Sequence, residues 1–138
     1  MQIDIATPNT VGWVQGKLDK IHTDYLWKII EEGKKKNLSF KGELAGHLSN
    51  SFEIEDTNDW FFKNVLHELI SAFYNSNGRA HPKSAVESDF RHNFIIKLEK
   101  FWANYQYKHE FNPAHNHAGL YAFVIWMKIP YTSEEQKK

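Results

Sequence analysis

Two histidines, two residues apart, are the pair in this chain best spaced for shared chemistry. They lie in Phe111-Asn112-Pro113-Ala114-His115-Asn116-His117-Ala118-Gly119, just before an apolar run. On an extended backbone, residues i and i+2 point to the same side, so both imidazoles can face one ion. Imidazole nitrogen suits iron, zinc, copper or nickel, and a pair of imidazoles still needs a third ligand. The plain alternative is a polar loop that merely contains both side chains. His22, His47, His67, His81, His92 and His109 sit in contexts that suit surface or locally hydrogen-bonded imidazoles. The aromatic row Trp102, Tyr105, Tyr107, Tyr121, Phe123 and Trp126 reads as the inside of a sandwich or barrel. Its sharper reading is an aromatic-lined pocket beside the histidines, in which the hydroxyl of Tyr105 or Tyr107 offers a hydrogen bond. No G-x-S-x-G, phosphate-binding loop or G-x-G-x-x-G occurs. Glu53, Glu55, Asp56 and Asp59 gather before a helix, where capping and dipole complementarity are their expected tasks.

The elements that must position these residues follow from periodicity. Residues 3–5 and 11–14 read as short strands around Thr7-Pro8-Asn9-Thr10. Asp19 is placed to cap a helix in which Ile21, Tyr25, Leu26, Ile29 and Ile30 recur at helical spacing, and Gly33 reads as its stop. Thr57-Asn58-Asp59 opens a second helix with Val65, Leu66, Leu69, Ile70 and Phe73 as its apolar stripe, ended by Ser76-Asn77-Gly78. Residues 79–92 are polar and read as a connection. Residues 94–96, 101–105 and 121–129 are rich in aromatic and β-branched side chains and read as strands. Helices first and strands later predict an α+β domain.

Composition narrows the function classes. The 138 residues suit one domain: a mainly helical part over 1–93, a β-core over 94–131 and a tail over 132–138. Aromatic residues make up 15% of the chain, enough to build a core. Seventeen basic residues balance seventeen acidic ones, so no global field favours nucleic acid or an anionic membrane. Lys34-Lys35-Lys36 and Lys137-Lys138 read as solvated charge. No apolar run reaches the ~20 residues of a membrane span, and the N-terminus lacks a signal-peptide pattern. The absence of Cys excludes disulfides, thiolate metal sites and a Cys nucleophile. The expected setting is cytoplasmic, with no nucleic-acid or membrane partner.

Trp102-Ala103-Asn104-Tyr105, then residues 110–119, then Phe123-Val124-Ile125-Trp126-Met127-Lys128-Ile129-Pro130-Tyr131 resemble the iron(II)/2-oxoglutarate-dependent oxygenases. The similarity is to prolyl-4-hydroxylase-like members, in particular those of marine tailed bacteriophages, for which the compartment would be the host cytoplasm. It is strongest over residues 101–131, with a weaker likeness at Leu44-Ala45-Gly46-His47-Leu48-Ser49. The resemblance implies N-terminal helices packed on a double-stranded β-helix, a jelly-roll or cupin-like core. It implies Fe(II) and 2-oxoglutarate as cofactor and cosubstrate, and hydroxylation of a peptide or small-molecule substrate. His115 falls on the family's first ligand position and His117 where a carboxylate usually stands. Tyr105 or Tyr107 would bond the cosubstrate, and Lys128 would meet its carboxylate tail.

The chain departs from that pattern in two ways. His117 replaces the carboxylate, and residues 118–138 contain no His, Asp or Arg to serve as distal ligand or cosubstrate clamp. Too few strands remain to close an eight-stranded barrel, so the core is expected to be incomplete. Open edges would then favour a homo-oligomer. Two other readings follow. One is a non-catalytic binding module on a barrel remnant. The other is a cupin-like metalloprotein without 2-oxoglutarate, its third ligand being His109 or His47.

Overall fold

Side chains from both halves of the sequence meet on one face of a long helix. The computed structural model describes residues 2–6, 12–37, 39, 48–77, 96–115, 117 and 119–136. In order these form β1 (Gln2–Ala6), β2 (Trp13–Lys17), α1 (Lys20–Lys36), β3 (Asn50–Glu53), a 3-10 turn (Thr57–Asp59), a π turn (Phe62–Leu66), α2 (His67–Asn77), β4 (Trp102–Tyr105) and α3 (Ser133–Gln136). The second expected strand therefore begins at Trp13, two residues later than the sequence indicated.

α1 buries Leu26, Ile29, Ile30 and Gly33, the 3–4 spacing of one helical face. Gly33 does not stop the helix, as its type suggested. The helix continues to Lys36, and Asn37 ends it in the left-handed region at φ 50°, its N–H bonded to Lys34 O at 3.2 Å. Three lysines in the last turn favour the negative end of the helix dipole. Gly33 is small for a packing reason. A Cβ there would lie 2.5 Å from Glu53 O and 2.8 Å from Ile54 Cγ2. The missing side chain lets α1 lie directly against the end of β3.

The start of the second helix is held by one carboxylate. Asp56 accepts from the N–H of Phe61 and of Phe62, each at 2.8 Å, and from the Tyr25 hydroxyl at 2.7 Å. It thus reaches past the Thr57–Asp59 turn to cap the longer helix behind it. Burial, then the neighbouring Asp56 carboxylate, pushes the Tyr25 hydroxyl up to about 12. Phe61, Leu26 and Val65 are almost fully buried, with Ile29, Ile54, Leu66 and Phe101 around them. Phe61 stacks on Phe101 with centroids 5.8 Å apart, and Phe101 meets Phe123 at 5.4 Å.

Among the described residues there are two antiparallel two-stranded sheets, β1–β2 and β3–β4. α2 packs on β1 and β2, and α1 on β3. The domain is α+β. Residues 121–129, expected as a strand, join no ladder among the described residues. Their alternation of apolar side chains is satisfied by packing on the core instead: Ile125 and Met127 pack against it, and Tyr121 meets Phe73 at 6.0 Å. Residues 96–100 likewise form no strand, and 94–95 lie outside the described residues. Thr132 and Glu135 cap α3 reciprocally, through Thr132 N–H to Glu135 Oε2 at 2.6 Å and Glu135 N–H to Thr132 Oγ1 at 3.4 Å. No helix among the described residues is long and apolar enough to cross a membrane.

Candidate metal centre

β4 carries the candidate site toward the histidines. Its pairing with β3 runs from Asn50↔Tyr105 to Glu53↔Trp102. Successive side chains of a strand alternate in face. Ala103 and Tyr105, with Phe101 before them, pack on the core. Trp102 and Asn104 take the other face, where Asn104 accepts the Ser51 hydroxyl at 2.7 Å across the ladder.

After β4 the chain reverses in a turn built on Glu110. Glu110 N–H bonds Tyr107 O at 3.1 Å, and its Oε2 accepts the Tyr107 N–H at 3.0 Å. Gln106 Nε2 donates to Glu110 O at 2.6 Å. His109 takes up the reversal with φ 71°, in the left-handed region. Glu110 Oε1 also accepts both the N–H of Ser49, at 2.9 Å, and the Ser49 hydroxyl. One carboxylate therefore closes the turn and ties it to the segment entering β3. The turn itself is legible from Lys108-His109-Glu110. The clasp is not, because its partner Ser49 is 61 residues away.

The next residues bring the two histidines together. Their ring centroids lie 4.6 Å apart at an interplanar angle of 63°. His115 Nδ1 donates to Pro113 O at 2.6 Å. A carbonyl oxygen only accepts, so this bond puts the proton on Nδ1 and leaves the Nε2 lone pair for a ligand. His117 faces the Trp102 ring, centroids 6.1 Å apart and nearly parallel at 23°. Both imidazoles are exposed. The sequence placed Trp102 in the aromatic row that reads as sheet interior or as a pocket beside the histidines, but picked Tyr105 and Tyr107 from that row instead. The signal was its parity, opposite to that of Phe101, Ala103 and Tyr105.

The other expected site residues are held elsewhere. Tyr105 lies on the core face of β4, edge-on to Phe52 at 6.1 Å, with Lys34 Nζ 5.2 Å from its ring centroid. That is the strand face opposite Trp102. Tyr107 is exposed, its hydroxyl accepting Asn50 Nδ2 at 3.2 Å. Lys128 is exposed, one residue past the bend at Met127. His109 sits in the turn, and His47, His81 and His92 lie outside the described residues. Among the described residues, no group of three or more His, Asp or Glu side chains is placed to hold a metal. The pair thus offers two imidazole donors, one with its tautomer fixed, which is part of a ligand set for a borderline transition metal. A separate cavity of about 370 Å³ between α1 and the segment after β3 has Glu32, Glu53, Glu55, Asp59 and Lys36 in its wall, but neither histidine. No family model matches the chain, and no curated protein or solved structure matches it.

Proposed function

We propose that this chain is an iron(II)- and 2-oxoglutarate-dependent oxygenase in which His115 and His117 supply two metal ligands. The observation that carries the reading is the imidazole pair, with His115 Nδ1 turned to Pro113 O and Nε2 left free. A ring nitrogen fixed by a backbone carbonyl is the usual outer support of a metal-binding histidine. Such a metal, bound with 2-oxoglutarate, supplies oxygen activation coupled to cosubstrate decarboxylation and substrate hydroxylation. The chain's own part is to hold the donors. The Pro113 carbonyl orients His115, and Trp102 limits the swing of His117. Tyr107, whose hydroxyl accepts from Asn50 but keeps its own proton to donate, is the hydroxyl on the exposed side for a cosubstrate, Tyr105 being packed on the core face, and Lys128 is the cation for its carboxylate. In this reading the α+β core is part of a double-stranded β-helix. The remaining ligand comes from outside the pair. The substrate is a peptide or a small molecule.

Anaerobic titration with iron(II) and 2-oxoglutarate tests this. A weak visible charge-transfer band in the wild type, lost in His115→Ala, is the expected result. No band and no retained metal would overturn the reading. A non-catalytic binding module would then stand first, favoured by the exposed apolar side chains at Leu120, Val124 and Trp126.

A further inference from the structure

Residues 120–127 present two unlike sides. Tyr121, Ile125 and Met127 turn inward, Tyr121 against Phe73, and Phe123, still 37% exposed, lays its ring against Phe101. Leu120, Val124 and Trp126 turn outward and are 59%, 73% and 74% exposed. The inward set already packs on the core, so the outward set cannot join it without giving up those contacts. Past the bend at Met127, Ile129 and Tyr131 are also about half exposed.

We propose that this outward face seats a second copy of the same chain in a two-fold dimer. Three observations favour a copy over an unlike partner. The first is area. A whole aromatic side chain exposes ~150–250 Å², so these five side chains leave on the order of 500 Å² of surface. Two copies face to face then bury on the order of 1,000 Å², the size at which an interface becomes specific. The second is composition. Lys128 is the one charged residue in the stretch 120–131, so the face offers an unlike partner few charges to recognise. An apolar face is self-complementary, as a two-fold contact requires. The third is net charge. With seventeen basic and seventeen acidic residues, two copies approach without global repulsion. The inference does not depend on the histidine pair or on a metal.

Sedimentation equilibrium of the full chain, in EDTA and over roughly 1–100 µM, reads the dimer directly, since an interface near the lower size limit dissociates in that range. The apparent mass should rise from 16.3 kDa toward twice that value. Val124→Glu and Trp126→Glu should each weaken self-association at least tenfold with an unchanged far-UV circular dichroism spectrum, whereas Gln15→Glu on exposed β2 should not. Val124→Cys adds the chain's first cysteine, and mild oxidation should trap a disulfide-linked dimer, which tests the face even if a glutamate variant fails to fold. A mass of 16.3 kDa at every concentration overturns the proposal. So does open-ended growth beyond the dimer, or Val124→Cys staying monomeric where the wild type pairs. A monomer whose tryptophan emission shifts to the blue on phosphatidylcholine vesicles would also overturn it, and would assign the face to lipid.

Discussion

At the scale of single residues, Trp102 bears on the site without offering a metal donor. Its ring lies nearly parallel to His117, 6.1 Å away between centroids. Removing it leaves both donors in place but frees His117 to rotate away from His115. Loss of outer support typically costs ~10–100-fold in metal affinity. Trp102→Ala should therefore weaken iron(II) or zinc binding about tenfold in a chelator competition, and Trp102→Phe should restore most of it. In a His117→Ala background the same change should do little further, which a merely structural role would not produce. Tyr25 gives a pH prediction. Burial and then the Asp56 carboxylate raise its hydroxyl from the ordinary 10.0 to about 12. The unfolded chain then loses that proton first as pH rises. Tyr25 thus contributes stability that is complete below about pH 10 and lost as pH climbs through about 12. Urea melts at pH 9 and pH 11 should show a smaller drop for Tyr25→Phe than for the wild type. An equal drop would show that Tyr25 ionises alike in both states.

At the scale of elements, the close approach of α1 to β3 rests on one missing side chain. Alanine is the better helix former by ~1 kcal/mol, so on local grounds Gly33→Ala should stabilise. The neighbour it would strike is the Glu53 carbonyl, a backbone atom 2.5 Å from the new Cβ, with Ile54 Cγ2 at 2.8 Å. Overpacking costs ~1–3 kcal/mol, so packing should win and Gly33→Ala should lower the urea midpoint. A rise would show that α1 can slide on β3. This glycine also marks where sequence reading reaches its limit. Helical spacing showed the buried face of α1, because Leu26, Ile29 and Ile30 carry the period themselves. It could not distinguish a glycine that ends a helix from one that lets a strand approach, since that depends on Glu53, 20 residues away. The same holds for residues 121–129. Their aromatic content read as sheet interior, but Trp126, placed there, is 74% exposed, and composition cannot say whether a backbone ladder forms beside it. The histidine pair was legible because its partners are two residues apart. The Glu110–Ser49 clasp was not, because its partners are 61 residues apart, and the Trp102–His117 contact was not, because it depends on which face of β4 Trp102 takes.

At the scale of the whole molecule, stability and the candidate chemistry occupy different places. The core is the contact of α1, the π turn and β4 around Phe61, whose side chain is fully buried and stacked on Phe101. The two imidazoles are exposed and packed on Trp102 and each other. A chain of this size is marginally stable, by ~5–15 kcal/mol, so the loss of one core ring is a large fraction of the whole. Phe61→Ala should cost ~3–5 kcal/mol. At roughly 3–5 °C per kcal/mol for a domain of this length, its melting temperature should fall by more than about 10 °C. The double variant His115→Ala/His117→Ala removes exposed groups only, and should melt within about 2 °C of the metal-free wild type. Added metal should raise the wild-type melting temperature, because a ligand that binds only the folded chain stabilises it by mass action. The double variant should show no such rise. If it melts well below the metal-free wild type, the imidazole pair is itself part of the fold's support, and its separation from the core would be refuted.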